Sequence, residues 1–231
     1  NVNTAGGDII TLTGSNFGAT AGSVTVDAKV CTVEIWTHTS IECRSPAGIG
    51  KSLPVVVTTT ESATASTTLS YGDPLLSSIT SSNGYPSAGS VANSPLITIT
   101  GRNFGTSLSA ITVNKVDVLN NGAVIEPAFT TITSVTDTQI VGTLAPGIGA
   151  TTIRVDVAVG ATTISSTNTL GFTYNSPIVV AVSGCSTNTA TTTSGCSLLG
   201  GSTLLTVKGL NFYSNTLAPT FSILVEFTDN T

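Results

Sequence analysis

The chain has 231 residues, of which 8% are charged and 71, close to a third, are Ser or Thr; charge is about a quarter of an ordinary globular sequence, so this surface is kept in solution by something else or is covered. Seven Lys plus Arg against twelve Asp plus Glu give a net charge of −5, which excludes a phosphate-tracking surface and hence nucleic acid as a partner. No apolar run reaches the ~18 residues of a membrane span, and no charged n-region with an apolar h-region stands at the start.

In chain order, the first element is Ile10-Thr-Leu-Thr, followed by Gly14-Ser-Asn-Phe-Gly18. Alternation at period two predicts a strand with Ile10 and Leu12 buried and Thr11 and Thr13 outside. A short strand Val24-Thr-Val26 comes next, then a segment holding Cys31, Trp36, His38 and Cys43, then Pro46-Ala-Gly-Ile-Gly50 and a strand over Leu53 to Val57. Leu69-Ser-Tyr71 closes the unit, and the turn Gly72-Asp-Pro74 leads straight into a new apolar strand, Leu75 to Ile79. The same order then recurs: Ile97-Thr-Ile-Thr-Gly-Arg-Asn-Phe-Gly105, Ile111-Thr-Val113, Pro146-Gly-Ile-Gly149, Ile153 to Val157, Phe172-Thr-Tyr174, Asn175-Ser-Pro177 and Ile178 to Val182. A third copy begins at Leu205-Thr-Val-Lys-Gly-Leu-Asn-Phe-Tyr213. Gly14 and Gly101 lie 87 residues apart, Gly101 and Gly209 lie 108 apart, and twelve of the extra residues fall between the second strand and Ile140. Insertions confined to loops are what a shared scaffold tolerates.

No stretch of ten residues carries helical periodicity, so the fold class is all-β, as tandem antiparallel β-sandwiches of immunoglobulin-like size. The expected units are 1–73, lacking the first strand that the other copies have, 74–176, and 177–231, the start of a third. The expected buried set is Ile10, Leu12, Phe17, Ile97, Ile99, Phe104, Leu205, Val207 and Phe212. At the turn, Gly14, Gly101 and Gly209 are expected to supply a positive φ, the motif Asn to close the turn with its amide, and the Phe to plug the sandwich end. A phosphate cradle would need a helix opening after the last Gly, and none follows.

The combination of strand, Gly-x-Asn-Phe-Gly, short strand, Cys, Ile41-Glu-Cys43-Arg-Ser-Pro46 and terminal Tyr71 resembles the IPT/TIG family of immunoglobulin-like (E-set) domains, over two near-complete copies and the start of a third. The resemblance implies a β-sandwich of the kind found in receptor ectodomains, Rel-type transcription factors and tandem arrays on microbial and protist surfaces. It also implies a pair at Cys31 and Cys43, positions where members often carry two Cys; the second copy has lost both, with Gly142 in place of Cys43. Cys185 and Cys196 bracket a Ser/Thr/Asn/Gly loop in the third copy. Of the three connectivities open to four Cys, two local bridges are favoured because each pair then belongs to one repeat. Bridges put the protein outside the cytosol, and a four-Cys zinc site lacks Cys-x-x-Cys spacing.

Catalytic constellations are missing: His38 stands without a surrounding motif, Gly-x-Ser-x-Gly does not occur, and the carboxylates are scattered. No cofactor or metal is expected. Trp36 is read as a partly buried loop residue, with a sugar-stacking platform as its alternative. None of the fifteen Asn opens an N-glycosylation sequon. Dense hydroxyl clusters make Thr58, Thr59, Thr60, Thr191, Thr192 and Thr193 candidates for O-linked sugar, against the plainer reading that Thr suits solvent-facing strands. The sequence thus reads as a non-catalytic extracellular or cell-surface structural or adhesive protein, an excerpt of a longer array or filament whose partners are neighbouring repeats or copies, or a surface protein or glycan. The alternatives are the stalk of a plexin-like receptor ectodomain and a sugar-binding accessory module of a secreted enzyme.

Overall fold

The structure, a computed structural model, describes residues 1–81, 84–86, 96–189, 192–196 and 204–212. The first repeat is built from β1 (Ile9–Thr13), β2 (Ser23–Val26), β3 (Lys29–Trp36), β4 (Ser40–Arg44), β5 (Leu53–Thr58) and β6 (Thr64–Leu69), hydrogen-bonded in the order β1-β4-β3-β2-β5-β6. All pairings are antiparallel. β3 belongs to both layers: it pairs with β2 through Lys29–Cys31 and, with a bulge between Val33 and Ile35, with β4 through Thr32–Trp36. Bulges turn a strand out of one sheet and into the next. The two-residue hairpin before it, Asp27-Ala28, has both residues at positive φ, as a tight turn between twisted strands requires.

The second repeat keeps this plan with more chain: β7 (Leu75–Ser81), β8 (Ile97–Arg102), β9 (Ile111–Asp117), β10 (Ala123–Pro127), β11 (Phe129–Thr136), β12 (Gln139–Leu144), β13 (Ala150–Val159), β14 (Thr162–Ser165) and β15 (Leu170–Thr173). One sheet has the order β11-β12-β8-β7; the other is β10-β9-β13-β14, with β15 also on β13. The strand that crosses between layers is here broken in two at Ala128, which is fully buried between β10 and β11. The twelve extra residues lengthen the β9–β10 hairpin, whose tip exposes Val118 and Leu119.

Each repeat has its own core. Ile10, Phe17, Val24, Val26, Cys31, Ile41, Cys43, Val55, Val57 and Tyr71 form one; Leu76, Ile97, Ile99, Phe104, Val113, Ile140, Val155 and Phe172 are among the members of the other. Full burial of an aliphatic side chain is worth about 1.5–3 kcal/mol, which explains why the predicted period-two face is kept inward in both copies. Thr11 and Thr13 are exposed, as expected, while Leu12 is only half-buried. In the third copy β16 (Ile178–Ser183) pairs with β19 (Thr206–Leu210), and β17 (Thr187–Asn188) with β18 (Thr193–Ser194). Leu205 and Val207 alternate inward as predicted, and these two and Phe212 are half-buried rather than buried, in a sheet of two strands among the described residues. Tyr213 and the rest of the expected third unit lie outside the described residues.

Candidate functional site

The repeated Gly-x-Asn-Phe turn is the feature that all three copies share, and its chemistry differs from the sequence expectation. The left-handed residue is the Asn, not the Gly: φ is 64° at Asn16, 61° at Asn103 and 59° at Asn211. Asn tolerates this region better than any other residue with a side chain except Asp. The Gly is needed for space. A Cβ on Gly14 would stand 2.6 Å from the tip of the Phe17 ring, and on Gly101 or Gly209 it would lie 2.5 or 2.6 Å from Phe104 or Phe212. The Phe folds back over the Gly of its own turn and caps the sandwich, while its N–H donates to the carbonyl of the β3–β4 or β11–β12 turn: Phe17 to His38 O and Phe104 to Asp137 O, both 3.1 Å.

The Asn amide does not close its own turn either. Asn103 Nδ2 donates to Asp73 O, and Asn211 Nδ2 to Ser176 O, both at 3.0 Å. Each acceptor immediately precedes the Pro that opens its repeat, Pro74 or Pro177. The motif therefore holds the junction between one sandwich and the next. Around the first junction further contacts converge. Thr4, buried in the first repeat, donates its hydroxyl to Asp137 Oδ1, which also accepts from Gly105 N at 3.1 Å. Ile49, from the Pro46–Gly50 loop, packs onto the core of the second repeat, and Gly105 leaves it room. Lys51 Nζ reaches Tyr71 O at 2.9 Å and Asp73 Oδ1 at 2.6 Å, tying both ends of the connection to β5's approach. At the second junction Ile148, the counterpart of Ile49, is 53% exposed.

The remaining landmarks are packing solutions. Tyr71 and Tyr174 donate their hydroxyls to Pro46 O (2.7 Å) and Ala145 O (2.8 Å), and their rings lie on Gly48 and Gly147, where any Cβ would collide. Burial, with the Asp27 charge as the lesser cause, pushes the Tyr71 phenol above its ordinary value. Both disulfides, Cys31–Cys43 and Cys185–Cys196, are formed. The second repeat replaces the first of these by an aromatic ring: Phe129 sits against Gly142, whose missing side chain leaves 2.4 Å between a would-be Cβ and the ring. Loss of both Cys together is thus one packing exchange. The second repeat also buries charge, with Arg154 gripping Asp156 through Nε (2.8 Å) and Nη2 (3.0 Å) while Asn114 adds a bond at 2.7 Å. Burial alone would raise the Asp156 carboxyl, but the hydrogen bonds from Arg154, Ser165 and Asn114 and the Arg154 charge hold it below the ordinary carboxylate value. Sequence reading missed the Arg154/Asp156 pair; their i, i+2 spacing on one strand face was its available signal.

Of the candidate sugar positions, Thr60 is exposed at a turn, Thr58 is half-buried in β5, and Thr59 accepts a bond from Ala63 N at 3.2 Å. Thr192 is exposed, with its hydroxyl 2.5 Å from that of Thr189, and the Thr193 hydroxyl donates to Asn188 Oδ1 (2.7 Å) and accepts from Cys185 N (3.1 Å). Thr191 lies outside the described residues. Trp36 is half-buried at the end of β3 rather than in a loop; its Nε1 donates to Phe17 O at 3.3 Å and its ring meets Phe17 edge-on at 6.2 Å. His38 is exposed in the β3–β4 turn. Among the described residues no three His, Cys, Asp or Glu converge as a metal site, and no helix is long and apolar enough to cross a membrane.

A family model for the IPT/TIG domain matches residues 1–71 and again 74–174. A search of curated proteins by sequence finds no match. Among solved structures, the chain is similar at 15% identity to SGBP-B of the Bacteroides ovatus mixed-linkage glucan utilization locus, solved in complex with a mixed-linkage heptasaccharide. The similarity covers 78% of this chain and 45% of that one, with a TM-score of 0.28, so the chain spans less than half of that protein's length.

Proposed function

Because this chain belongs to the IPT/TIG domain family, we propose that it is a non-catalytic structural module of an extracellular or cell-surface protein, in which tandem sandwiches are locked end to end as a stiff rod. The observation that carries this reading is the first junction. A bare Pro turn would set only one backbone angle, but here the Asn103 clamp, the Thr4–Asp137 contact, the Lys51–Asp73 pair and the seating of Ile49 act together across it. Two disulfides support an oxidising compartment. O-linked sugar on Thr60 and Thr192, both exposed, would hydrate a surface with 8% charged residues. Self-association through neighbouring copies would cover it in another way.

The test is alignment in a weakly ordering medium, read by residual dipolar couplings. Couplings from residues 1–71 and 74–174 are expected to fit one common alignment tensor. Two independent tensors would mean free hinge motion at Pro74 and would remove the rod.

A further inference from the structure

The first two repeats share one sheet and differ in what its outer face carries. In the second repeat the sheet β11-β12-β8-β7 turns Ile97, Ile99 and Ile140 into the core, so the residues alternating with them face out. The register sets these outward residues in rows across the strands. Ser78, Thr100, Gln139 and Thr136 form one row, Thr80, Thr98, Val141 and Ser134 the next, and Thr143 lies beside Thr131 in a third. No row holds a charged residue. In the first repeat the matching face, on β1, β4 and β3, has Thr11 beside Glu42 and Arg44 beside Thr32, with Glu34 at the bulge and ion-paired to Arg44. Matched through Ile41 and Ile140, which pair with Leu12 and Ile99, Val141 and Thr143 stand where the first repeat has Glu42 and Arg44. Thr133 stands at the bulge that holds Glu34. Every residue of both faces is among the described residues.

The side chains of the uncharged face are already held in place. The Ser78 and Thr100 hydroxyls lie 2.6 Å apart, those of Thr130 and Thr143 2.7 Å apart, and Thr133 Oγ1 donates to Val141 O at 3.1 Å. Each bond fixes a rotamer before any partner arrives, which removes part of the ordering cost of association. The hydroxyl oxygens can still accept, and the Gln139 amide both donates and accepts. A charged partner would bury its charge here without a counter-charge. A sugar chain would be served by an aromatic platform, and no row contains an aromatic residue. A neutral face of groups that donate and accept is complementary to itself.

We propose that this face is a lateral contact between two copies of the chain, laid sheet against sheet about a two-fold axis. The proposal deepens the reading of the chain as a rod module and rests on it, by naming the side on which a rod meets its neighbour. The matching face of the first repeat is barred from the same contact, because it would bring Glu34 and Glu42 of two copies together and strip Arg44 of water. On the second repeat no charge is desolvated. The contact uses the same patch on both copies, so it closes as a pair. Four strands about 4.8 Å apart and about five residues at about 3.4 Å each make a patch of roughly 19 by 17 Å. That is well under the roughly 800 Å2 per partner of a stable interface, so one such contact is weak. Multivalent presentation strengthens it.

Val141 lies on an inner strand of the face, and Glu42 shows that the scaffold carries a charge at that position. Sedimentation velocity is run on the full chain of 231 residues at concentrations up to about 1 mM, where weak pairs form. Val141→Glu, Val141→Lys and an equimolar mixture of the two are run beside it. The expected result is a reversible dimer of the unmodified chain, weakened at least about tenfold in either variant alone and regained in the mixture, because like charges oppose and opposite charges attract across the contact. Recovery in the mixture excludes misfolding as the cause of the loss. Thr163→Glu, exposed on the other sheet, should leave the dimer unchanged. A chain monomeric at every concentration would overturn the proposal, as would a dimer that neither charge at 141 weakens. Sugar mapped by mass onto the face hydroxyls of the natively produced protein would also overturn it, by assigning the face to covalent glycan. The common alignment tensor, measured on dilute monomer, depends on the first junction alone, so the rod and its lateral contact fail separately.

Discussion

The first and second repeats share one scaffold, and among the described residues β8 pairs with both β12 and β7 whereas β1 pairs with β4. Under the cover of β7, Ile97 and Ile99 are wholly buried and Phe104 is 1% exposed; without such a strand, Ile10 and Phe17 keep 8% and 7% of their surface and Leu12 is half-buried. The difference teaches that the Gly-x-Asn-Phe turn and its strand define the sandwich, while the opening strand completes it. The first repeat also has the Cys31–Cys43 bridge where the second has Phe129 on Gly142. A covalent cross-link and an aromatic plug occupy the same place between the layers.

The largest expected effect tests the cover directly. Phe104→Ala should cost the second repeat about 3–5 kcal/mol, the range for deleting a buried aromatic, and Phe17→Ala measurably less in the first, because Phe17 keeps 7% of its surface against 1% for Phe104. Urea unfolding followed by amide signals of each repeat would show it, and equal costs would break the comparison. Gly101→Ala should likewise cost more than Gly14→Ala. A Cβ at 101 meets both the Phe104 ring and the Leu75 carbonyl of β7, at 2.2 Å, whereas at 14 it meets only Phe17.

Next in size is the bridge. Replacing both Cys31 and Cys43 by Ala should destabilise the first repeat by about 3 kcal/mol in the chain-entropy account and leave the second unchanged. Differential unfolding of the two repeats is the measurement, and a matching loss in the second would mean that their cores are not separate. Smaller again is the clamp. Asn103→Asp should loosen the junction by about 1 kcal/mol, seen as faster hydrogen exchange around Asp73 and Pro74, while Asn16→Asp in the isolated monomer should be silent. Both sites share the same φ, so the difference reports the junction contacts of Asn103, its bond to Asp73 O and its place beside Thr4 and Asp137.

The least effect is a pH dependence confined to one repeat. Asp156 titrates below its ordinary value in the folded state, so the unfolded chain binds its proton first as pH falls. Stability from this group is complete above the unfolded carboxylate value near 4 and is lost on descending through the lower folded value. Acid titration of each repeat's stability should show an added loss in the second that Asp156→Asn removes.

Much of this was legible beforehand for a physical reason: strand alternation reports which face is buried, and three copies of one motif calibrate each other. Ile10, Ile97 and Ile99 were readable as core from period two, and Phe17 and Phe104 from their place in the repeated turn motif. The motif glycines were not. The turn needs one left-handed residue and one without a side chain, and composition cannot say that Asn takes the first role and Gly the second, because that depends on where the Phe ring falls. Trp36 was misplaced in a loop because the bulge in β3 breaks the alternation that would have marked it as strand.

The sequence by itself determined the all-β class, the repeat order and the inward faces, since each depends on residues close in the chain or on self-similarity along it, and it favoured the two local Cys pairs among three connectivities. Tertiary structure decided what the motif Asn does and what replaced the lost bridge. Those rest on contacts between residues far apart in sequence, Asn103 with Asp73, Thr4 with Asp137 and Ile49 with the next core, which form only after the chain has folded back on itself.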